Sequence, residues 1–175
     1  NQIDHQSGAQ EARDTQGGVS RAHREPNREP MTEVAFHFNA PDKLAYACRF
    51  ARKAFNRGVR VVVTGGPTDL QALDRMMWAL GPTDFVAHAL ADGDPDVVAA
   101  SPVLLAVEPL SVAPREMLLN LGTQLPAGYE QFDKVIEVVS ARDEEDRQLA
   151  RTRWRQYAAQ GYEIVRHDLV LKENA

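Results

Sequence analysis

One cysteine, Cys48, among 175 residues leaves no material for a disulfide framework or a thiolate metal cluster. No apolar run approaches the ~18 residues needed to cross a bilayer, and no apolar block near the start marks a secretion signal. A soluble protein of the reducing cytoplasm is therefore expected. Positive charge is also in short supply: 20 Lys and Arg against 25 Asp and Glu give a net charge of -5. That balance argues against holding nucleic acid by general electrostatic attraction, so any basic surface must be local. Catalytic patterns are missing as well. The histidines are scattered, none in a spaced set with Cys, Asp or Glu, and Ser101, Ser111 and Ser140 lie outside any Gly-x-Ser-x-Gly elbow. Gly65-Gly66 has neither the remaining spacing of a dinucleotide fingerprint nor the Lys of a phosphate loop, and reads as a turn. No cofactor and no metal is expected.

What is present is ordinary globular composition, 43% hydrophobic and 26% charged, at a length that suits one domain. Residues 1–30 differ from the rest: rich in Gln, Gly, Arg and Asp, without an aromatic residue, and closed by Pro26 and Pro30. They are expected to be a disordered N-terminal extension, with residues 31–175 as the folded domain. From Met31 strand-like and helix-like stretches alternate. Strands are expected at 34–38, 59–64, 85–89, 103–107, 117–121, 134–139 and 162–169. Helices are expected from Pro41 to Gly58, through Leu70, Leu73, Met77 and Leu80, and from Ser140 to Gly161. Alternation of this kind predicts a three-layer α/β/α domain around a mostly parallel, mixed sheet, Rossmann-like in layout. The turn after the first strand, Asn39-Ala40-Pro41-Asp42, carries no glycine, and Pro41 removes an N–H that a phosphate cradle would use. His37 and His88 fall within strands and read as hydrogen-bonded structural residues.

The last predicted helix carries Arg147, Arg151 and Arg155 at four-residue spacing, with Trp154 and Tyr157 among them. Residues four apart are neighbours on a helix, so the guanidiniums form one row beside an indole. Ser140 is the expected N-cap, Glu144, Glu145 and Asp146 suit the positive end of the helix dipole, and Gly161 supplies the stop. By spacing, Arg147 has an acid one turn back in Asp143, while Arg151 and Arg155 have none. A row of like charge is easiest to understand if an anion docks on it, and the indole implies that the anion ends in something apolar. A second surface is marked by Trp78 and Phe85. Both surround a helix end dense in large apolar groups, where Trp78 cannot fully share the inward direction of Leu73 and Met77.

Taken together, Leu73-Asp74, Trp78-Ala79, Pro82, Phe85-Val86 and His88, then Leu149-Ala150-Arg151, Arg153, Trp154, Tyr157 and Gly161, resemble the DNA polymerase III chi subunit family. The resemblance runs over most of residues 31–170. It implies a non-catalytic accessory subunit that binds the psi subunit of the polymerase on one side. On the other it implies binding of the acidic C-terminal tail of single-stranded-DNA-binding protein, which ends in Pro-Phe. No extensive direct contact with nucleic acid and no membrane is implied. By the same resemblance Arg147, Arg151 and Arg155 would hold the tail's carboxylates, Trp154 would wall the pocket for the terminal phenylalanine, and Gly161 would lie near its rim. Trp78 and Phe85 would face psi. Where relatives carry Lys in the row and Tyr at the wall, this chain has Arg, which grips carboxylates bidentately, and the larger Trp. Two other readings stay open on the residues: a nucleotide-binding α/β enzyme, and direct binding of single-stranded nucleic acid by the basic helix.

Overall fold

The structure is a computed structural model that describes residues 31–113 and 115–170. The expectation of disorder over residues 1–30 lies outside the described residues. Seven strands and four helices follow in order: β1 Glu33–Ala40, α1 Lys43–Asn56, β2 Val61–Thr64, α2 Pro67–Trp78, β3 His88–Leu90, α3 Pro95–Ala100, β4 Val103–Leu105, β5 Met117–Asn120, β6 Lys134–Ser140, α4 Glu144–Ala159 and β7 Ile164–Asp168.

The strands form one sheet in the order β3-β4-β2-β5-β6-β1-β7. Every pairing is parallel, so the sheet is fully parallel rather than mixed. The physical reason is that each connection crosses a face of the sheet, which returns the chain to the same edge before the next strand begins. The β-branched run of β2 is buried at all four positions, as a strand covered on both faces requires. On one face α1 and α2 pack Ala47, Ala51, Leu70, Leu73 and Met77 onto Ala35, Val61, Val63 and Ile136. On the other, α4 packs Ala150 and Tyr157 onto Val34, Phe36, Val135 and Val139. These are the three layers expected.

Two segments depart from the sequence reading. The expected strand at 85–89 begins only at His88. The Asp84 amide donates to the Gly81 carbonyl at 2.9 Å, and the Asp84 carboxylate meets Arg52 at 3.2 Å. That turn leaves Phe85 outside the sheet, exposed. The turn-rich stretch at 92–95 opens the short helix α3: the Asp94 carboxylate accepts from the Asp96 and Val97 amides and Pro95 takes the first helical position.

Candidate functional site

The N-cap of α4 is Asp143, whose carboxylate accepts from the Asp146 amide at 3.2 Å, and not Ser140. The Ser140 hydroxyl instead accepts from the Arg142 and Asp143 amides, shaping the turn that delivers the chain to the cap. Asp146 is buried and fixes the start of the helix: it accepts from the Ser140 amide at 2.8 Å and from the Lys43 ammonium at 2.9 Å. At the far end Gly161 stands at φ 90, with its amide bonded to the Ala158 carbonyl and the Tyr162 amide to the Tyr157 carbonyl. This is the Schellman pairing, and the left-handed position is the reason for glycine there.

The inner face of α4 is polar as well as apolar. Arg153, 1% exposed, donates through Nε to the fully buried Glu137 of β6 at 2.9 Å and through Nη1 to the Thr123 carbonyl at 2.9 Å. Asn120 donates to both carboxylate oxygens, and the Tyr157 hydroxyl donates at 2.9 Å. Burial pushes the Glu137 carboxyl above the usual carboxylate range, opposed by the Arg153 guanidinium and the donors around it. Burial first, then the neighbouring carboxylate, holds the Tyr157 hydroxyl far above the usual phenol range, so it stays a donor. This cluster sets the rotation of α4: with Arg153 and Tyr157 facing in, the residues between them must face out or sideways.

That rotation brings the predicted row together. Arg147, Arg151, Trp154 and Arg155 line a depression of about 330 Å³ whose floor is Phe38, Val139 and Ala150. Trp154 is half-buried, its ring centroid 5.1 Å from that of Phe36 and 6.0 Å from that of Phe38. Arg151 and Arg155 are exposed. Arg147 is held by Asn39, which accepts from its Nη1 at 3.0 Å. Asn39, in the left-handed region at φ 64, also donates to Asp168 of β7. The acid that meets the row is Glu144, 3.7 Å from Arg147 and 3.3 Å from Arg151. Asp143, the acid that spacing suggested, serves the cap instead, and Glu144 reaches Arg151 from two turns back. Gly161 is not among the residues that line the depression; its role here is to end the helix.

Arg166 was missed by the sequence reading. It lies on β7, pairs in register with Phe36 of β1, places its guanidinium 4.9 Å over the Phe38 ring, and supplies a fourth cation to the same depression. The signal was the alternation of β7, which puts residue 166 on the face that α4 covers, next to the strand carrying Phe36 and Phe38.

On the opposite layer Trp78 and Phe85 do meet, with ring centroids 5.9 Å apart and exposures of 62% and 45%. The Trp78 ring leans on His88 at 4.9 Å. His88 is buried with both ring nitrogens in hydrogen-bond contact, with the Val86 carbonyl and with Asp74, and His37 contacts the Tyr46 hydroxyl. Both histidines are bound into the structure as expected. The turn after β1 offers no seat for a nucleotide phosphate: the Asp42 carboxylate occupies the α1 N-terminus, accepting from the Ala45 amide at 3.1 Å. Among the described residues no group of His, Cys, Asp and Glu could hold a metal ion, and no helix is long and apolar enough to cross a membrane.

Comparisons with known proteins bear on the whole arrangement. A family described as DNA polymerase III chi subunit, HolC, matches residues 31–165. The DNA polymerase III subunit chi of Pseudomonas aeruginosa is 31% identical over 144 residues, which span 79% of this chain and 98% of that protein. Among solved structures, the C-terminal domain of the DEAD-box protein Dbp5 aligns with a TM-score of 0.54 at 11% identity. That alignment covers 79% of this chain and 91% of the other, a likeness of fold alone.

Proposed function

The chain belongs to the DNA polymerase III chi subunit family, and from that premise we propose that it is a non-catalytic accessory subunit bridging two partners in DNA replication. Through the α4 depression it takes the acidic C-terminal tail of single-stranded-DNA-binding protein. Through Trp78 and Phe85 it docks on psi, and thereby on the clamp-loader complex. The observation that carries the reading is the depression itself, where four guanidiniums surround an aromatic floor. A peptide with several carboxylates and a terminal Phe matches both parts. Its side-chain and terminal carboxylates pair with Arg147, Arg151, Arg155 and Arg166, and its last ring packs against Trp154 and Phe38.

Titration of the full chain with an acidic peptide ending in Pro-Phe, followed by calorimetry, is expected to saturate at one peptide per chain. Affinity should fall as salt rises, because much of the attraction is ionic. The same peptide without its terminal Phe should bind far more weakly. Equal binding of the two peptides would refute the pocket assignment.

Trp78 and Phe85 present an exposed aromatic pair next to a helix end, the type of anchor that dominates protein interfaces. Trp78→Ala is expected to abolish co-purification with psi while leaving the peptide titration unchanged, since the two surfaces lie on opposite layers. A variant that still co-purifies with psi would remove Trp78 from that interface.

A further inference from the structure

The face of the sheet opposite α4 carries a second, larger groove of about 510 Å³ that the tethering role leaves unused. It exists because α1 does not cover the β1–β7 edge of that face, where Val165 and His167 stay exposed. One wall is α1, on which Arg49, Lys53 and Arg57 recur at four-residue spacing, all three exposed. Lys134 rises from the floor at the start of β6. Among the described residues no carboxylate lines the groove, and α1 contains no acidic residue. Glu33 stands beside Lys134 in register, yet none of the four cations forms an ion pair among the described residues. In a chain of net charge -5 this is a strong local excess of positive charge. At physiological salt, screening beyond about 8 Å lets it act independently of the acidic remainder.

Rings lie alongside the cations. Tyr46 and Phe50 of α1 are half-buried with centroids 6.3 Å apart, and across the groove the exposed His167 ring stands 4.7 Å from that of His37. The cations of α1 follow one another at about 6 Å along the helix axis, the scale on which successive phosphates of an extended single strand are spaced. An acidic peptide ending in one aromatic residue could use the charges but has a single ring to place, not a series to match Tyr46, Phe50 and His167. A single strand uses both, with phosphates along one edge and bases along the other.

We propose that this groove binds a short run of single-stranded nucleic acid, its phosphates on Arg49, Lys53, Arg57 and Lys134 and its bases against Tyr46, Phe50 and His167. The site is independent of the α4 depression and lies on the other side of the sheet, so strand and protein tail can be held together.

The test is fluorescence anisotropy of the full chain with a labelled oligothymidylate of about ten nucleotides. With three or four phosphates neutralised, the logarithm of the binding constant should fall against the logarithm of salt with a slope of about -2 to -3. The double variant Arg49→Glu, Lys53→Glu is expected to weaken strand binding at least about tenfold and to flatten the slope by about 1.4. Its melting temperature and peptide titration should not change. Arg151→Ala should give the reverse pattern. Wild-type strand binding by the double variant overturns the proposal, as does equal affinity for duplex DNA of the same length, which would reduce the groove to generic attraction for polyanions. Loss of peptide binding in the double variant would also overturn it, because the groove would then be a peptide site.

Discussion

Trp154→Ala is expected to weaken binding of the acidic Pro-Phe peptide by about 30-fold or more. That is the roughly 2 kcal/mol or greater loss typical of an aromatic anchor at the centre of an interface. The indole packs against Phe36 and Phe38 on one side and borders the depression on the other. Truncation therefore removes the wall and opens the floor at once. Because the same ring contributes to the core, the variant is also expected to melt at a lower temperature, and the titration belongs well below that temperature. Arg151→Ala separates the two effects. Its guanidinium is exposed and meets only Glu144 among the described residues, so the fold should be untouched. Loss of a charge-assisted hydrogen bond should still cost about tenfold in affinity. Arg151→Lys should recover part of that loss, as a point charge replaces a planar fork. Arg166→Ala, at the edge of the same depression, should cost about fivefold, roughly 1 kcal/mol. Trp154→Ala and Arg151→Ala variants that both titrate like the parent would show that the tail binds elsewhere.

Glu137→Ala should be the most damaging change to the fold outside its apolar core. It would leave the Arg153 guanidinium, 1% exposed, without its carboxylate and the Tyr157 hydroxyl without its acceptor, and the Asn120 amide would keep only the Gln124 carbonyl. Breaking a buried ion pair from one side costs about 3–5 kcal/mol, a large part of the ~5–15 kcal/mol that holds a domain folded. At about 2–4 °C per kcal/mol for a chain of this size, the melting temperature should fall by roughly 6–20 °C. Arg153 Nη2 already has no hydrogen-bond partner among the described residues, so losing the carboxylate adds a second unpaired donor to a buried guanidinium that already carries one. The double variant Glu137→Leu, Arg153→Leu should recover much of the loss, because the penalty comes mainly from the orphaned charge. Single variants that melt within a degree or two of the parent would show that the cluster does not hold α4 in place.

Strand and helix alternation was readable because each element had its own period and its own boundary residues: Pro41 one residue ahead of the Asp42 cap of α1, Gly58 and Gly161 at stops, and the unbroken β-branched run of β2. The arginine row was readable for the same reason, since four-residue spacing within one helix needs no tertiary knowledge. What spacing could not give was every feature that depends on a distant strand. Arg153 stands off the four-residue spacing of the row and nothing local marks its role; it turns inward because Glu137, sixteen residues earlier on β6, waits beneath it. Arg166 looked like an ordinary strand residue, yet parallel pairing of β7 with β1 carries it to Phe38. The cap moved from Ser140 to Asp143 because both residues satisfy the same local chemistry, and only the backbone decides which amides each one meets.

If α4 takes the acidic tail proposed above, Glu144 has a consequence for selectivity. Its carboxylate rests against Arg147 and Arg151 in the free protein, so an incoming ligand meets a pre-installed rival. An anion with one charge merely exchanges places with it, at little net gain. A segment bearing several acids engages Arg155 and Arg166 besides, which Glu144 does not contact, and so outcompetes the resident group. On that reading the helix sets a threshold of charge density below which passing acidic chains are ignored.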